Sequence, residues 1–293
     1  YTAGQNGGGA FVIIYLICIF ARCLPVLFAE LSIGRASQKS PVGAFKALAP
    51  KTAWPLVGGL GVLTGFGILA FYSVVAGWTL AYLGWSVSGR FTGTIGHDES
   101  EALFNGLLES PTSVVLSGVF LLMTALVVRA GVQRGIERAC KVLMPVFLLI
   151  LVALAARSLT LDGAREGLAF LFEPDFSKIS IEVVISALGQ ALLSLSLGMG
   201  AMITYGSYLS RRDGMPGAAM SVALADTGIA ILAGLIIFPA LFAAGGEAQG
   251  GAGLVFIVLP TIFHKLPAAW FFGVAFYALL CIAALTSTLS LME

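Results

Sequence analysis

Ala283, Thr286 and Ser287 stand three and four residues apart in the apolar run that closes the chain. On a helix, that spacing turns one backbone carbonyl and two hydroxyls to a single face. Hard oxygen donors of this kind suit a small hard cation. The competing arrangement has both hydroxyls bonding back to carbonyls of their own helix. Two carboxylates lie in other apolar runs: Glu30, ahead of Gly34-Arg35, and Asp226, within VALADTGIAILAGLIIFP. An acid at the centre of a membrane helix costs about 2.5–3.5 kcal/mol on insertion scales, so each is a candidate for function. The structural alternatives are an interfacial pair with Arg35 for Glu30 and a helix-start cap for Asp226.

The element that must position such groups is residues 181–209, IEVVISALGQALLSLSLGMGAMITYGSYL. Its apolar run is broken at Ser194-Leu195-Ser196-Leu197-Gly198-Met199-Gly200. Glycine is a poor helix former, and serine hydroxyls offer the backbone other partners. In hydrocarbon, unwound backbone is tolerated only inside protein or against a wet cavity. A break at this depth marks a binding site in which half-helix ends offer carbonyls to cations and N–H groups to anions. A kinked helix packed through small residues is the alternative.

Composition gives the class. The chain is 58% hydrophobic and 11% charged, against roughly 25% charged in soluble domains, so the expectation is an all-α polytopic membrane protein in the lipid bilayer. A net charge of +1 gives nucleic acid no purchase. Cys18, Cys23, Cys140 and Cys281 lack metal-ligand spacing and read as small buried hydrophobes. Windows of about 20 apolar residues give seven spans in one transmembrane domain: 9–31, 56–86, 112–129, 141–160, 181–209, 217–244 and 267–292. Residues 245–266 read as an outer re-entrant hairpin. Arg35, Lys39, Lys46 and Lys51 sit in one connection, Arg129, Arg134, Arg138 and Lys141 against Glu137 in another, and Arg211-Arg212 follow the broken run. The alternate connections are acidic or mixed, with His97, Asp98, Glu99, Glu101 and Glu109 in one and Asp162, Arg165, Glu166, Glu173 and Asp175 in the other. Basic loops face the cytoplasm, which predicts a multi-pass protein of the cell's inner (plasma) membrane. The first span must then enter from outside, and the run ending at Met292-Glu293 carries no cap. Both ends read as cuts in a longer transporter.

Motifs along the whole chain carry a family resemblance: NGGGAF at 6–11, Glu30 with Gly34-Arg35, FYSVVAGW at 71–78, GIERACKVLMP at 135–145, FLFEPDF at 170–176, GQALLSLSLGMGAMITYGSY at 189–208, LVFIVLPTIF at 254–263 and ALTSTLSLM at 284–292. In this order they resemble the neurotransmitter:sodium symporter family, above all its bacterial amino-acid transporters of the LeuT type. The resemblance implies a LeuT-type inverted-repeat fold, truncated here to the end of helix 1 through helix 8, with its discontinuous helix at 181–209. It implies that Tyr72 binds the substrate carboxylate and that Leu193, Ser194 and Ser196 receive its ammonium. Ile68, Leu193, Ser196, Met199, Ser287 and Leu291 would form the side-chain pocket. Ser194 and Asp226 would serve a first Na⁺ site; Ala283, Thr286 and Ser287 would serve a second. Both sites would also need helix-1 ligands that this chain lacks. Glu30 and Gln190 would brace the broken helix, Tyr208 would gate the cytoplasmic side, and Gly135 with Pro145 would mark a helix that unwinds to admit water.

Three positions depart from the family pattern. Leu193 replaces an aromatic lid, Met199 replaces a common phenylalanine, and Asp226 replaces an asparagine beside Ala230. The expected function is Na⁺-coupled symport of a neutral, hydrophobic amino acid by alternating access, with no chloride requirement. A transport-incompetent fragment or degenerate paralogue with a structural or regulatory role is the second reading. An intramembrane hydrolase built on Ser194 or Ser196 has no membrane-embedded histidine, because His97 and His264 fall in outer loops, so no enzyme is expected. The amino acid, the ion stoichiometry and any homo-oligomer are not legible.

Overall fold

Glycine-rich entry, a proline and an apolar stripe shape the first long helix, α1 (Gly9–Ser37). The computed structural model describes residues 2–130, 137–210, 214–243, 253–263 and 269–292. A single turn, Thr2–Gln5, precedes α1. Within α1 the turn Ile19–Cys23 is π-helical, and the Leu24 N–H reaches back to the Ile19 carbonyl. The cause lies one residue on: Pro25 has no N–H to continue the ordinary ladder. Arg22 lies in this wide turn and is exposed, an intramembrane charge that apolar windows average away.

The rest of the described chain is also helical and contains no named strand. A surface helix α2 (Pro41–Leu48) leads into α3 (Trp54–Val87). At about 1.5 Å per residue, the 34 residues of α3 exceed a ~30 Å hydrocarbon core, which fits a tilted span. Next come α4 (His97–Glu109), α5 (Pro111–Arg129), α6 (Glu137–Ser158) and α7 (Ala164–Phe172). The broken element follows as α8 (Ile181–Ser194) and α9 (Ala201–Tyr208), then α10 (Met215–Ala243). A π turn at Leu254–Val258 runs into α11 (Leu259–Phe263), and α12 (Ala269–Met292) completes the described chain. Among the described residues, six helices are long and apolar enough to cross a membrane, and α8 is a shorter apolar helix. The hairpin expected at 245–266 is described only over 253–263.

The connections hold more order than their charge suggests. α4, read from sequence as an acidic loop, buries Phe104 and Leu107. Its Ser100 hydroxyl donates to the Ile257 carbonyl at 2.7 Å. Tyr82, Phe91, Phe104, Phe256 and Tyr277 form one aromatic cluster that ties α3, α4, the 254–258 turn and α12 together. A second cluster packs the α1 stripe (Tyr15, Ile19, Cys23, Leu27) against Ala187 and Ala191 of α8 and Ala219 and Ala223 of α10. Cys18 and Cys23 are buried free thiols, as their spacing suggested.

Two glycines set the α1–α9 distance. A Cβ at Gly34 would lie 2.0 Å from the Ile203 carbonyl oxygen, and one at Gly206 would lie 2.5 Å from the Leu31 oxygen. Both obstacles are backbone, which cannot swing aside. Gly34→Ala should therefore separate α1 from α9, costing about 1–3 kcal/mol or more as overpacking does. The measurement is the thermal midpoint of the purified protein in detergent; an unchanged midpoint would show that the two helices slide apart freely.

Candidate functional site

Serine and glycine end α8 and start α9. The Leu197 N–H bonds the Leu192 carbonyl at 2.9 Å and the Ser196 N–H bonds Leu193 at 3.1 Å. This is a Schellman-type stop whose left-handed residue is normally glycine; here it is Ser196, at φ 53. Gly198 (φ 82) and Gly200 (φ 83) carry the chain through the gap, and α9 restarts at Ala201. The six residues between the helices leave α8 carbonyls pointing one way and α9 N–H groups the other.

Glu30 closes the gap from the side. It is 9% exposed, and its Oε1 accepts the Gly198 N–H at 2.8 Å. Its other oxygen, Oε2, is buried and has no hydrogen-bond partner among the described residues. A free backbone donor at a helix break and a buried carboxylate each need a partner, and here they supply one another. Gln190, one turn above the break, accepts from the Thr2 hydroxyl at 3.1 Å.

Asp226 lies well inside α10, so it does not cap that helix's start. Ser194 Oγ lies 2.8 Å from both carboxylate oxygens, and the Tyr15 hydroxyl donates to Oδ2 at 3.4 Å. Sequence reasoning passed over Tyr15. Its signal was faint, a hydroxyl on the buried stripe four residues after Phe11, with its partner 211 residues away.

Asp226 and Ser194 line a cavity of about 280 Å³. Ile68 and Tyr72 enter it from α3, Ser287 and Leu291 from α12, and Gln190, Leu193, Ser194, Ser196, Met199 and Asp226 from the broken helix and α10. Ser290 lines it too and was not anticipated. Met199 is 7% exposed, whereas Leu193 is 49% exposed. A second cavity of about 340 Å³, lined by Phe11, Tyr15, Gln190, Ser194, Ala230 and Gly234 among others, adjoins the same serine.

The remaining expected positions are spread more widely. The Thr286 hydroxyl donates to the Ala283 carbonyl at 2.9 Å, which puts both oxygens on one face of α12 and is also the back-bonded arrangement. Ser290 bonds back to the Thr286 and Ser287 carbonyls. Tyr208 ends α9 and is 49% exposed. Pro145 lies inside the continuous helix α6, and Gly135 lies outside the described residues. Among the described residues no cluster of three or more His, Cys, Asp or Glu exists. The available donors are carbonyls, hydroxyls and single carboxylates, a set that suits Na⁺ rather than a transition metal.

The model of the family described as "Sodium:neurotransmitter symporter family" matches residues 1–102 and 108–293. The chain belongs to this family. An uncharacterized sodium-dependent transporter of Bacillus subtilis, YhdH, is 41% identical over 294 residues, covering all of this chain and 65% of the relative. One from Haemophilus influenzae is 36% identical over 303 residues, covering 66% of its own length. The solved structure titled "Crystal structure of MhsT in complex with L-phenylalanine" superposes with a TM-score of 0.94 at 47% identity, over all of this chain and 67% of that one. The chain thus spans about two thirds of the length of these relatives, and its architecture is the LeuT-type fold with the helix broken between α8 and α9.

Proposed function

We propose that this chain forms the substrate-binding part of an Na⁺-coupled symporter for a neutral, hydrophobic amino acid. The observation that carries the proposal is one cavity holding Tyr72, the Ser194–Asp226 pair and the carbonyl end of α8 beside Ile68, Met199 and Leu291. The parts match a zwitterion. The α8 terminus presents partial negative charge to an ammonium, and the Tyr72 hydroxyl donates to a carboxylate. The apolar residues take the side chain.

Ser194 and Asp226 supply oxygens to a first Na⁺ site; Ala283, Thr286 and Ser287 supply them to a second. Bound Na⁺ provides the positive charge that the substrate carboxylate would face. Glu30 and Gln190 hold the broken helix in register, Leu193 covers the pocket, and Tyr208 gates the cytoplasmic end. Alternating access follows if Na⁺ and substrate differ in affinity for the outward- and inward-facing forms. The protein would work in the inner (plasma) membrane through seven spans, with basic loops in the cytoplasm.

The test is Na⁺-gradient-driven uptake of labelled amino acids by the complete transporter in vesicles. Phenylalanine and leucine should accumulate, and glutamate and lysine should not. Met199→Phe should narrow the pocket and raise alanine over tryptophan in competition by roughly ten-fold, the worth of one or two methylenes in an apolar pocket. No accumulation of any neutral amino acid would overturn the function; an unchanged competition order in the variant would remove Met199 from the pocket.

A further inference from the structure

We propose that α2 and the turn after it form a binding site for anionic phospholipid headgroups. No Asp or Glu occurs from Leu31 through His97, whereas Lys39, Lys46 and Lys51 all fall there, and all three are exposed. They are also arranged. A Cβ at Gly43 would lie 3.1 Å from Lys39 Cβ and 3.6 Å from its Cδ, so the Lys39 stem runs across that glycine. Lys46 follows one turn on, which puts both ammonium groups on one side of α2. Lys51 stands at φ 64 in the turn between α2 and α3, a conformation uncommon for a residue with a long side chain.

Beside the lysines is an amphipathic anchor. Phe45 and Trp54 stack with ring centroids 5.9 Å apart and planes 15° apart. Trp54 is 55% exposed, and Leu48 and Leu56 are exposed as well. Cations beside an exposed tryptophan at the foot of a membrane span fit the phosphate level of a bilayer, where Trp settles by preference. The occupant is a membrane lipid rather than a soluble anion, because Leu48 and Leu56 offer it acyl contacts. The site also abuts the broken helix: a Cβ at Gly200 would lie 2.7 Å from Pro41 Cγ, and one at Gly58 would lie 2.9 Å from the Pro41 carbonyl. Lipid held on α2 would sit one proline ring away from the gap.

Each basic residue near an anionic surface enriches it roughly five-fold, so the preference is measurable without transport. The intact transporter is placed in phosphatidylcholine vesicles containing a fixed share of either brominated phosphatidylglycerol or brominated phosphatidylcholine. Trp54 emission is isolated by difference against Trp54→Phe. Brominated phosphatidylglycerol should quench it roughly two-fold more strongly or better, and the preference should fade in high salt. The Lys39→Gln/Lys46→Gln/Lys51→Gln variant should lose the preference, and the triple arginine variant should keep it. Equal quenching by the two lipids in the parent protein would overturn the proposal, as would a preference that survives the glutamine substitutions.

Discussion

Thr286→Ala combined with Ser287→Ala in the complete transporter should abolish Na⁺-dependent uptake while leaving the protein folded. Both side chains are half-buried on α12, and the Thr286 hydroxyl is bonded only within its own helix, to Ala283. Losing it therefore breaks no contact between helices. It does remove two hard oxygens from a face that holds three with the Ala283 carbonyl. Even groups outside a metal's coordination shell change affinity by about 10–100-fold, so two direct ligands should cost at least the upper end. Thr288 provides the contrast. It is fully buried, and its hydroxyl lies 3.0 Å from that of Thr124 on α5. Thr288→Val should loosen the α5–α12 contact and lower the thermal midpoint, with the Na⁺ dependence of whatever uptake remains unchanged. Normal Na⁺ activation in the double alanine variant would remove α12 from ion coupling.

Asp226 should make transport independent of chloride. Relatives in the family that need chloride use an anion to balance charge at the first Na⁺ site, where the protein supplies none. Here an ionised Asp226, held by Ser194 at 2.8 Å and by Tyr15 at 3.4 Å, would supply that charge itself. Ala230, in the adjoining cavity with Tyr15 and Ser194, offers no charge or hydroxyl. Uptake with gluconate in place of chloride should equal uptake with chloride. Asp226→Asn with Ala230→Ser swaps the fixed charge for an uncharged oxygen lining beside Tyr15 and Ser194. That variant should be nearly inactive in gluconate, with chloride restoring roughly ten-fold or more; 1.4 kcal/mol is ten-fold, and a partly buried charge–charge contact exceeds that. Chloride-dependent uptake by the unaltered protein would leave Asp226 as a ligand or packing group only.

The broken helix was legible because its cause is local: two glycines and two serines within seven residues of an apolar run. Membrane class follows from composition for the same reason. Contacts that join distant parts of the chain were legible only through the family resemblance, which set Glu30 against the broken helix and Asp226 beside Ser194, or not at all. Nothing near Glu30 in the sequence names Gly198, 168 residues away, as its partner, and Tyr15 gives no local hint of Asp226. α4 was read as a loop because its charges outnumber its buried residues, although Phe104 and Leu107 suffice to fix it through the aromatic cluster. Pro145 lies within α6, which runs through it unbroken, and Gly135 lies outside the described residues. A lone proline can cost a helix one hydrogen bond and still leave it continuous.

The π turn at Ile19–Cys23 acts as a phase shifter. Counting 3.6 residues per turn from Phe11, an uninterrupted stripe would pass through Tyr15, Cys18, Arg22, Pro25 and Ala29. The buried residues instead run Phe11, Tyr15, Cys18 and Ile19, then Cys23, Leu27, Glu30, Leu31 and Gly34. One surplus residue in the turn advances everything after it by a single position. The guanidinium is thereby rotated off the inner face and a thiol takes its place. The same advance carries the carboxylate onto Gly198 and the glycine onto Ile203. The upper half of α1 is indexed to α8 and the lower half to α9 and the gap before it, and Pro25 sets the offset between the two scales.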